Sequence, residues 1–550
     1  MERRALIAFL LMFLVLVGHM LLTSRSRRQV PAETPETGVA QQATQPEEVI
    51  EHPDTMLASP REGIGMPVEE APAKEVVVRT PLYTARLSSV GGVIRSLRLR
   101  EYLSGEGQPV ELVPETERRP LDVVLLTQDG GRIDLAGAAW RVSADSLTVE
   151  DGTVADLVFE LETEGGLQAT KTLRFRGDTY AFNVDIRLAG SGSDLVTGLE
   201  LGWGSGLRVT ETHREKDDLS SFAWLTLTSD GIRKASRRDV KDGADVSVSG
   251  DVKWVGVKTK YFLAALVPGE EEGAVSYAFR AGENAIGAAL EVPFAGAASR
   301  EFMVYAGPLD YGRLKQLGYG LERSVDFGWS WISPLSKLIF RFMLLVHQAI
   351  PNYGVVIILL SALTKLLFWP LTQKSFKSMR EMQKIQPEMA KLREDYKNDP
   401  QKLNKAMMEL YRERGVNPLG GCFPMLLQMP VFIALFNVLR TTIELRGAPF
   451  MLWIRDLSAP DVVTHMPFSL PFIGNTLSLL PILMGVAMFV QQKMQSTDPK
   501  QAALTYMMPI LFTFLFFRFP SGLVLYWLVN NVLTIGHQYL LTRADRVQEA

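Results

Sequence analysis

The stretch Ile357-Ile358-Leu359-Leu360-Ser361-Ala362-Leu363-Thr364-Lys365-Leu366-Leu367-Phe368-Trp369 decides the kind of protein this is. A run this apolar belongs in lipid, and a cation within it costs about 2.5 to 3.5 kcal/mol on insertion scales. Lys365 therefore has two readings. Either it snorkels to the headgroups two turns away, or it faces a wet cavity.

Working outward, the 550 residues carry a net charge of −3 and a mean hydropathy of +0.07, values that average a polar N-terminal part with an apolar C-terminal third. Apolar spans are expected at about Tyr353 to Leu371, Pro424 to Arg440, Thr476 to Gln492, Ala503 to Phe519 and Leu523 to Leu541. Some are barely long enough to cross, which calls for local thinning of the bilayer. A sixth span is expected over residues 1–22, read as a retained signal anchor because no small-residue cleavage site follows it. Residues 23–74, rich in Pro, Glu, Gln, Thr and Ala, read as a tether. Residues 330–350 place Leu338, Phe342, Leu345 and Ala349 at helical spacing beside Lys337, Arg341 and His347, the pattern of a helix lying in the interface.

Residues 75–320 change period. Tyr180, Phe182, Val184, Ile186 and Leu188 alternate with polar or small residues, and glycine pairs such as Gly91-Gly92 and Gly130-Gly131 punctuate the run. An all-β sandwich is expected, with Trp140, Trp203, Trp224 and Trp254 in its core rather than lining a ligand groove. Cys422 is the only cysteine, so no intrachain disulfide forms. No metal-ligand spacing, phosphate loop or nucleophile elbow is present, so no cofactor, metal or nucleotide is expected. The fold class is thus a polytopic α-helical membrane protein of six spans, with a five-span core at 351–542 and a large all-β sandwich domain.

Loop charges orient it. The connection from Thr372 to Gly415 carries eleven Lys or Arg, whereas that from Thr441 to His465 carries only Arg446 and Arg455. The first loop is expected in the cytoplasm, the β domain outside and both termini inside. Within the loop, 373–415 reads as a helical hairpin: Gln373 to Lys397, a turn at Asn398-Asp399-Pro400, then Gln401 to Arg414. Met382, Ile385, Met389, Leu392 and Tyr396 face Leu403, Met407 and Leu410. Its basic outer surface suits a ribosome, an anionic lipid surface or solvation alike.

None of the six spans holds Asp or Glu, which argues against an ion-coupled channel or carrier. Ser361 precedes Lys365 by one turn, the arrangement of a Ser/Lys hydrolase, but no oxyanion hole or substrate pocket accompanies it. Other polar residues in the spans, Gln428, Asn437, Asn530 and Asn531 among them, either join helices or line a groove.

Asn417-Pro418-Leu419-Gly420-Gly421-Cys422-Phe423-Pro424, Gln428-Met429-Pro430, Glu444-Leu445-Arg446, Asp326-Phe327-Gly328-Trp329 and Phe519-Pro520-Ser521-Gly522-Leu523-Val524-Leu525-Tyr526 resemble the signature of the YidC insertases of bacterial inner membranes. The β domain after one anchor span looks like the Gram-negative, periplasmic form. The resemblance implies a membrane protein insertase with no enzymatic activity and a hydrophilic groove open to cytoplasm and lipid. Lys365 stands where the family usually has arginine, and Ser361, Gln428, Asn531 and Trp527 accompany it; the aromatic pair is Tyr526-Trp527 here instead of two tyrosines. Met425, Met429, Met507 and Met508 would form a greasy slide, and Met382, Met389, Tyr396 and Met407 the hairpin core. The implied partners are nascent membrane proteins, the Sec translocon, the ribosome and the lipid bilayer.

Overall fold

A computed structural model describes residues 73–211, 215–240, 246–269, 273–282, 285–295, 298–416, 423–470, 474–495 and 502–549. The expected N-terminal span and nearly all of the expected tether lie outside them.

Period-two patterning produces sheets, as one buried face requires. In the strand Ala181–Gly190, Phe182, Val184, Ile186 and Leu188 point inward while Arg187 points out. That strand lies within a nine-stranded antiparallel sheet, which packs face to face on a six-stranded one through Trp254–Lys258 and Phe262–Pro268 against Ala285–Pro293. A five-stranded sheet begins the domain at Glu75–Arg79. All four tryptophans named above are buried, so they fill the core.

Two short helices, α1 (Glu215–Ser221) and α2 (Tyr311–Leu317), flank the later strands, and the Asp310 carboxylate accepts from Arg313 N to start α2. Phe327 then packs edge-on against Tyr311 and against Phe340 of α3 (Ser333–Ala349), joining the β domain to the helices. Gly328 is required there: its φ is +86°, and a Cβ would fall 2.1 Å from the Asn437 amide. On α3, Ile339, Phe340 and Met343 are buried, whereas Leu338, Arg341 and Leu345 remain exposed along the other side.

The helical part continues as α4 (Tyr353–Leu367), α5 (Trp369–Lys384), α6 (Gln386–Asp395), α7 (Pro400–Glu413), α8 (Phe423–Thr441), α9 (Leu480–Gln495), α10 (Ala502–Phe516) and α11 (Ser521–Glu549). Three expected boundaries move, each for a local reason. The span expected to reach Leu371 ends at Leu367, where α4 and α5 meet at 63° and Pro370, lacking an N–H, sits in the first turn of α5. The first hairpin helix breaks at Ile385, just before Pro387 in α6. The span expected from Thr476 starts at Leu480 instead, because Gly474–Leu477 pairs with Thr464–Leu470 as a strand hairpin and the Asp461 carboxylate accepts from Leu479 N and Leu480 N.

Among the described residues no single helix is long and apolar enough to cross a membrane; the bent α4–α5 pair passes that test together. The helix α10, of 15 residues, extends only about 22 Å.

Candidate substrate groove

The end of the helical core that contacts the β domain is covered by the chain between α8 and α9. Asn352 caps α4 by accepting from Val355 N, and its amide donates to Phe450 O. The first free N–H groups of α11 meet loop carbonyls, Ser521 N donating to Ala459 O (2.6 Å) and Gly522 N to Leu457 O (3.0 Å). Leu445 and Leu457 beneath them are fully buried. Arg446 binds this loop to the β domain: its Nε lies 2.7 Å from Glu211 Oε1 and its Nη1 donates to Leu103 O, with the two charged side chains only 9% and 12% exposed.

Farther along α11 the packed face turns polar. Tyr526, Asn530, Thr534 and Gln538 follow one another at i, i+4 spacing, Asn531 and His537 lie beside them, and all six are buried. Lys365 of α4 reaches this stripe, its Nζ donating to Thr534 Oγ1 at 2.5 Å; Thr534 in turn donates to Asn530 O at 2.6 Å. Ser361 is fully buried and its hydroxyl donates a hydrogen bond to Ile357 O, so no Ser361–Lys365 pair forms. Gln428 reaches α11 through Tyr526, Nε2 to Oη at 3.4 Å. Trp527 does not join this stripe. It packs into an aromatic patch with Phe432 of α8 and Phe512 and Phe516 of α10, while Tyr526 takes the polar contact.

Nearer the α4–α5 bend, the His537 ring stacks on Trp369 at 3.7 Å and meets Phe376 edge-on. Neither imidazole nitrogen has a hydrogen-bond partner among the described residues, nor do Asn531 Nδ2 and the side-chain oxygens of Gln491 and Gln492. Gln538 Nε2 donates to Met494 O and ties α11 to α9 at the same level. Buried polar atoms left by the protein in this way call for water or a polar guest.

Of the four methionines expected along the slide, Met507 of α10 is exposed, Met508 and Met429 of α8 are half-buried, and the Met425 side chain lies outside the described residues. In the hairpin, Met382, Met389 and Met407 pack with Ile385, Leu410 and Val416 in a cluster separate from the main core. Tyr396 is not part of it; it caps α6, its N–H bonding to Leu392 O. The sequence reading missed Thr534, His537 and Gln538, although their helical spacing from Tyr526 and Asn530 was visible.

Residues 345–549 match the family model described as 60Kd inner membrane protein, and residues 75–342 match the YidC periplasmic domain. Relatives include the membrane protein insertase YidC of Geobacter metallireducens, 38% identical over 570 residues, and that of Geobacter sulfurreducens, 36% identical over 566; each alignment covers 100% of both chains. A solved structure titled active YidC insertase, with its first transmembrane domain resolved, is 20% identical with a TM-score of 0.39, covering 87% of this chain and 95% of that one.

Proposed function

We propose, from the premise that the chain belongs to the YidC family of membrane protein insertases, that the polar stripe on α11 and Lys365 form the wet groove through which it admits its substrates. The family is an inner-membrane insertase with a periplasmic domain, and it is not an enzyme. Nascent membrane proteins are accordingly its substrates.

The observation that carries the groove reading is the Lys365–Thr534 bond. A snorkelling lysine would turn toward the headgroups; this one donates to a neutral hydroxyl on α11, near buried polar atoms that have no hydrogen-bond partner among the described residues, which supports the groove reading. Water there shortens the apolar barrier facing an incoming polar tail. Lys365 adds an attraction for acidic residues worth up to about 4 kcal/mol for a close pair at an effective dielectric near 20. A substrate helix of about 20 Leu-like residues gains roughly 6 to 12 kcal/mol on entering lipid, so no nucleotide is needed to drive the step.

The rest of the machine follows from the same reading. Six spans, with both termini and the hairpin α5–α7 in the cytoplasm, put the groove mouth at the α4–α5 bend. The closed outer loop then stops ions from leaking through. Met425, Met429, Met507 and Met508, being adaptable side chains, give emerging helices a slide into lipid. The basic hairpin would meet the ribosome, and the protein would work alone or beside the Sec translocon.

Proteoliposomes holding only the purified protein test this directly, with a single-span substrate bearing an acidic tail and protease protection as the readout. Protection that survives Lys365→Arg and falls with Lys365→Glu is expected. Protection unaffected by Lys365→Glu would remove the cation from the mechanism. None above empty liposomes, with the protein shown folded, would make it an assistant to another translocon.

A further inference from the structure

We propose that the periplasmic β domain carries a second polypeptide-binding site, a cleft that takes an extended acidic segment on three convergent arginines. The cleft measures about 1070 Å³ and is lined by Arg95, Arg119 and Arg280 together with Val93, Glu115 and Glu117. These arginines come from three separate parts of the chain. Arg95 belongs to the strand Val93–Leu103, Arg119 to the segment preceding the strand Pro120–Thr127, and Arg280 to the end of the strand Val275–Gly282.

A register shift between Arg280 and Gly282 interrupts the pairing with Ala285–Pro293, the kind of bulge that re-aims a side chain at a sheet margin. Arg119 is anchored by donating from Nη1 to Pro114 O. Burial and then the nearby Arg95 charge pull the Arg119 guanidinium below its ordinary value, with Glu115 opposing them. Arg95 itself has no hydrogen bond or ion pair among the described residues. Two guanidiniums that repel each other across a cleft are the arrangement an oxyanion relieves, because each can donate to it with charge assistance.

Position and size narrow the ligand. Arg95 and Leu103 lie eight residues apart on one strand, about 26 Å at the usual rise. Leu103 O is the acceptor for Arg446 of the loop between α8 and α9, so Arg95 lies toward the opposite end of this strand from that contact. The volume matches the upper end of sites that enclose a drug-sized ligand, far more than one phosphate fills. Carboxylates for the arginines and an apolar side chain for Val93 are both supplied by an acidic stretch of polypeptide, which in this compartment a translocated tail provides. Binding is independent of insertion, so this proposal can fail while the groove reading stands.

The test uses the full-length protein in nanodiscs of zwitterionic lipid, with fluorescence anisotropy of a labelled decapeptide of alternating Glu and Leu. Expected are saturable binding, weakening with added salt, and a loss of roughly tenfold for Arg95→Ala and more for Arg95→Ala with Arg280→Ala, the size of one charge-assisted contact. Arg187→Ala, an exposed arginine on the strand Ala181–Gly190, should leave affinity unchanged; melting temperatures confirm that each variant is folded. Equal binding of the Gln-for-Glu peptide, an Arg187→Ala loss matching that of Arg95→Ala, or no peptide binding while inorganic phosphate still binds would each overturn the proposal.

Discussion

Two lysines, Lys171 fully buried in the β domain and Lys365 half-buried in the helical half, are treated in opposite ways. Lys171 occupies an inward position of the strand Leu167–Arg176 and is 0% exposed, yet its ammonium donates to Gly92 O at 2.8 Å and Leu121 O at 2.6 Å. Both carbonyls are presented by residues with left-handed backbone, Gly92 at φ +57° and Leu121 at +68°. For Leu121, a non-glycine, that conformation costs about 1 to 3 kcal/mol, so the surrounding packing must enforce it. Burial lowers Lys171 to about 7 and raises the neighbouring Asp122 to about 7. Among the described residues Lys365 has a single partner, the Thr534 hydroxyl, and neighbours whose polar atoms have none. A cation tied to two backbone carbonyls holds a fold together, whereas one given a single hydroxyl remains available to something that arrives later.

Four substitutions would break or sharpen that contrast. The largest effect is expected from Lys365→Met, which should cut insertion of an acidic-tailed substrate at least tenfold, within a limit of about 4 kcal/mol, while leaving the melting temperature unchanged. A matching fall in melting temperature would make Lys365 structural, like Lys171. Next is Arg446→Met, which takes the guanidinium from Glu211 at the seam between the halves and should cost about 3 kcal/mol, read as faster proteolysis between the β domain and the helices. Lys171→Met should destabilise the β domain by about 2 kcal/mol through two unsatisfied carbonyls, with insertion per folded molecule intact; an undiminished thermal transition would show the carbonyls paired elsewhere.

The smallest effect concerns pH at the seam. Burial, opposed by a backbone hydrogen bond and reinforced by Asp310, raises Glu444 from 4.5 to about 8. Its folded value exceeds its unfolded one, so its contribution is complete below about 4.5 and is lost as pH rises through about 8. Thermal stability should therefore decline over that window, and Glu444→Gln should flatten the slope by on the order of 1 kcal/mol, roughly 2 to 4 °C. An equal slope in the variant would assign the dependence to other groups.

Local chemistry was legible wherever a residue and its partner lie within a turn or along one strand. Asp399-Pro400 announces a helix start, and Asp399 Oδ1 does accept from Lys402 N. Met382, Ile385, Met389, Met407 and Leu410 could be paired from their spacing because the hairpin that joins them is short. Tyr396 was misplaced in that core because a continuous helix was assumed through Ile385, and Trp527 in the polar stripe because one position on α11 separates it from Tyr526. The strand at Thr464–Leu470 alternates Met466, Phe468 and Leu470 with Pro467 and Ser469, but the run is short and its proline argues against a strand, so the hairpin stayed hidden.

By itself, then, the sequence determined the two halves, their orientation signals, the family resemblance and the presence of a costly cation in a span, since all of these are properties of composition, period and contiguous motif. The tertiary structure alone decided which partner each charge receives. Thr534 is 169 residues from Lys365, Glu211 is 235 from Arg446, and Gly92 is 79 from Lys171. Separations of that size leave no trace in local periodicity, because a hydrogen bond depends on a few ångströms that only the folded chain can set.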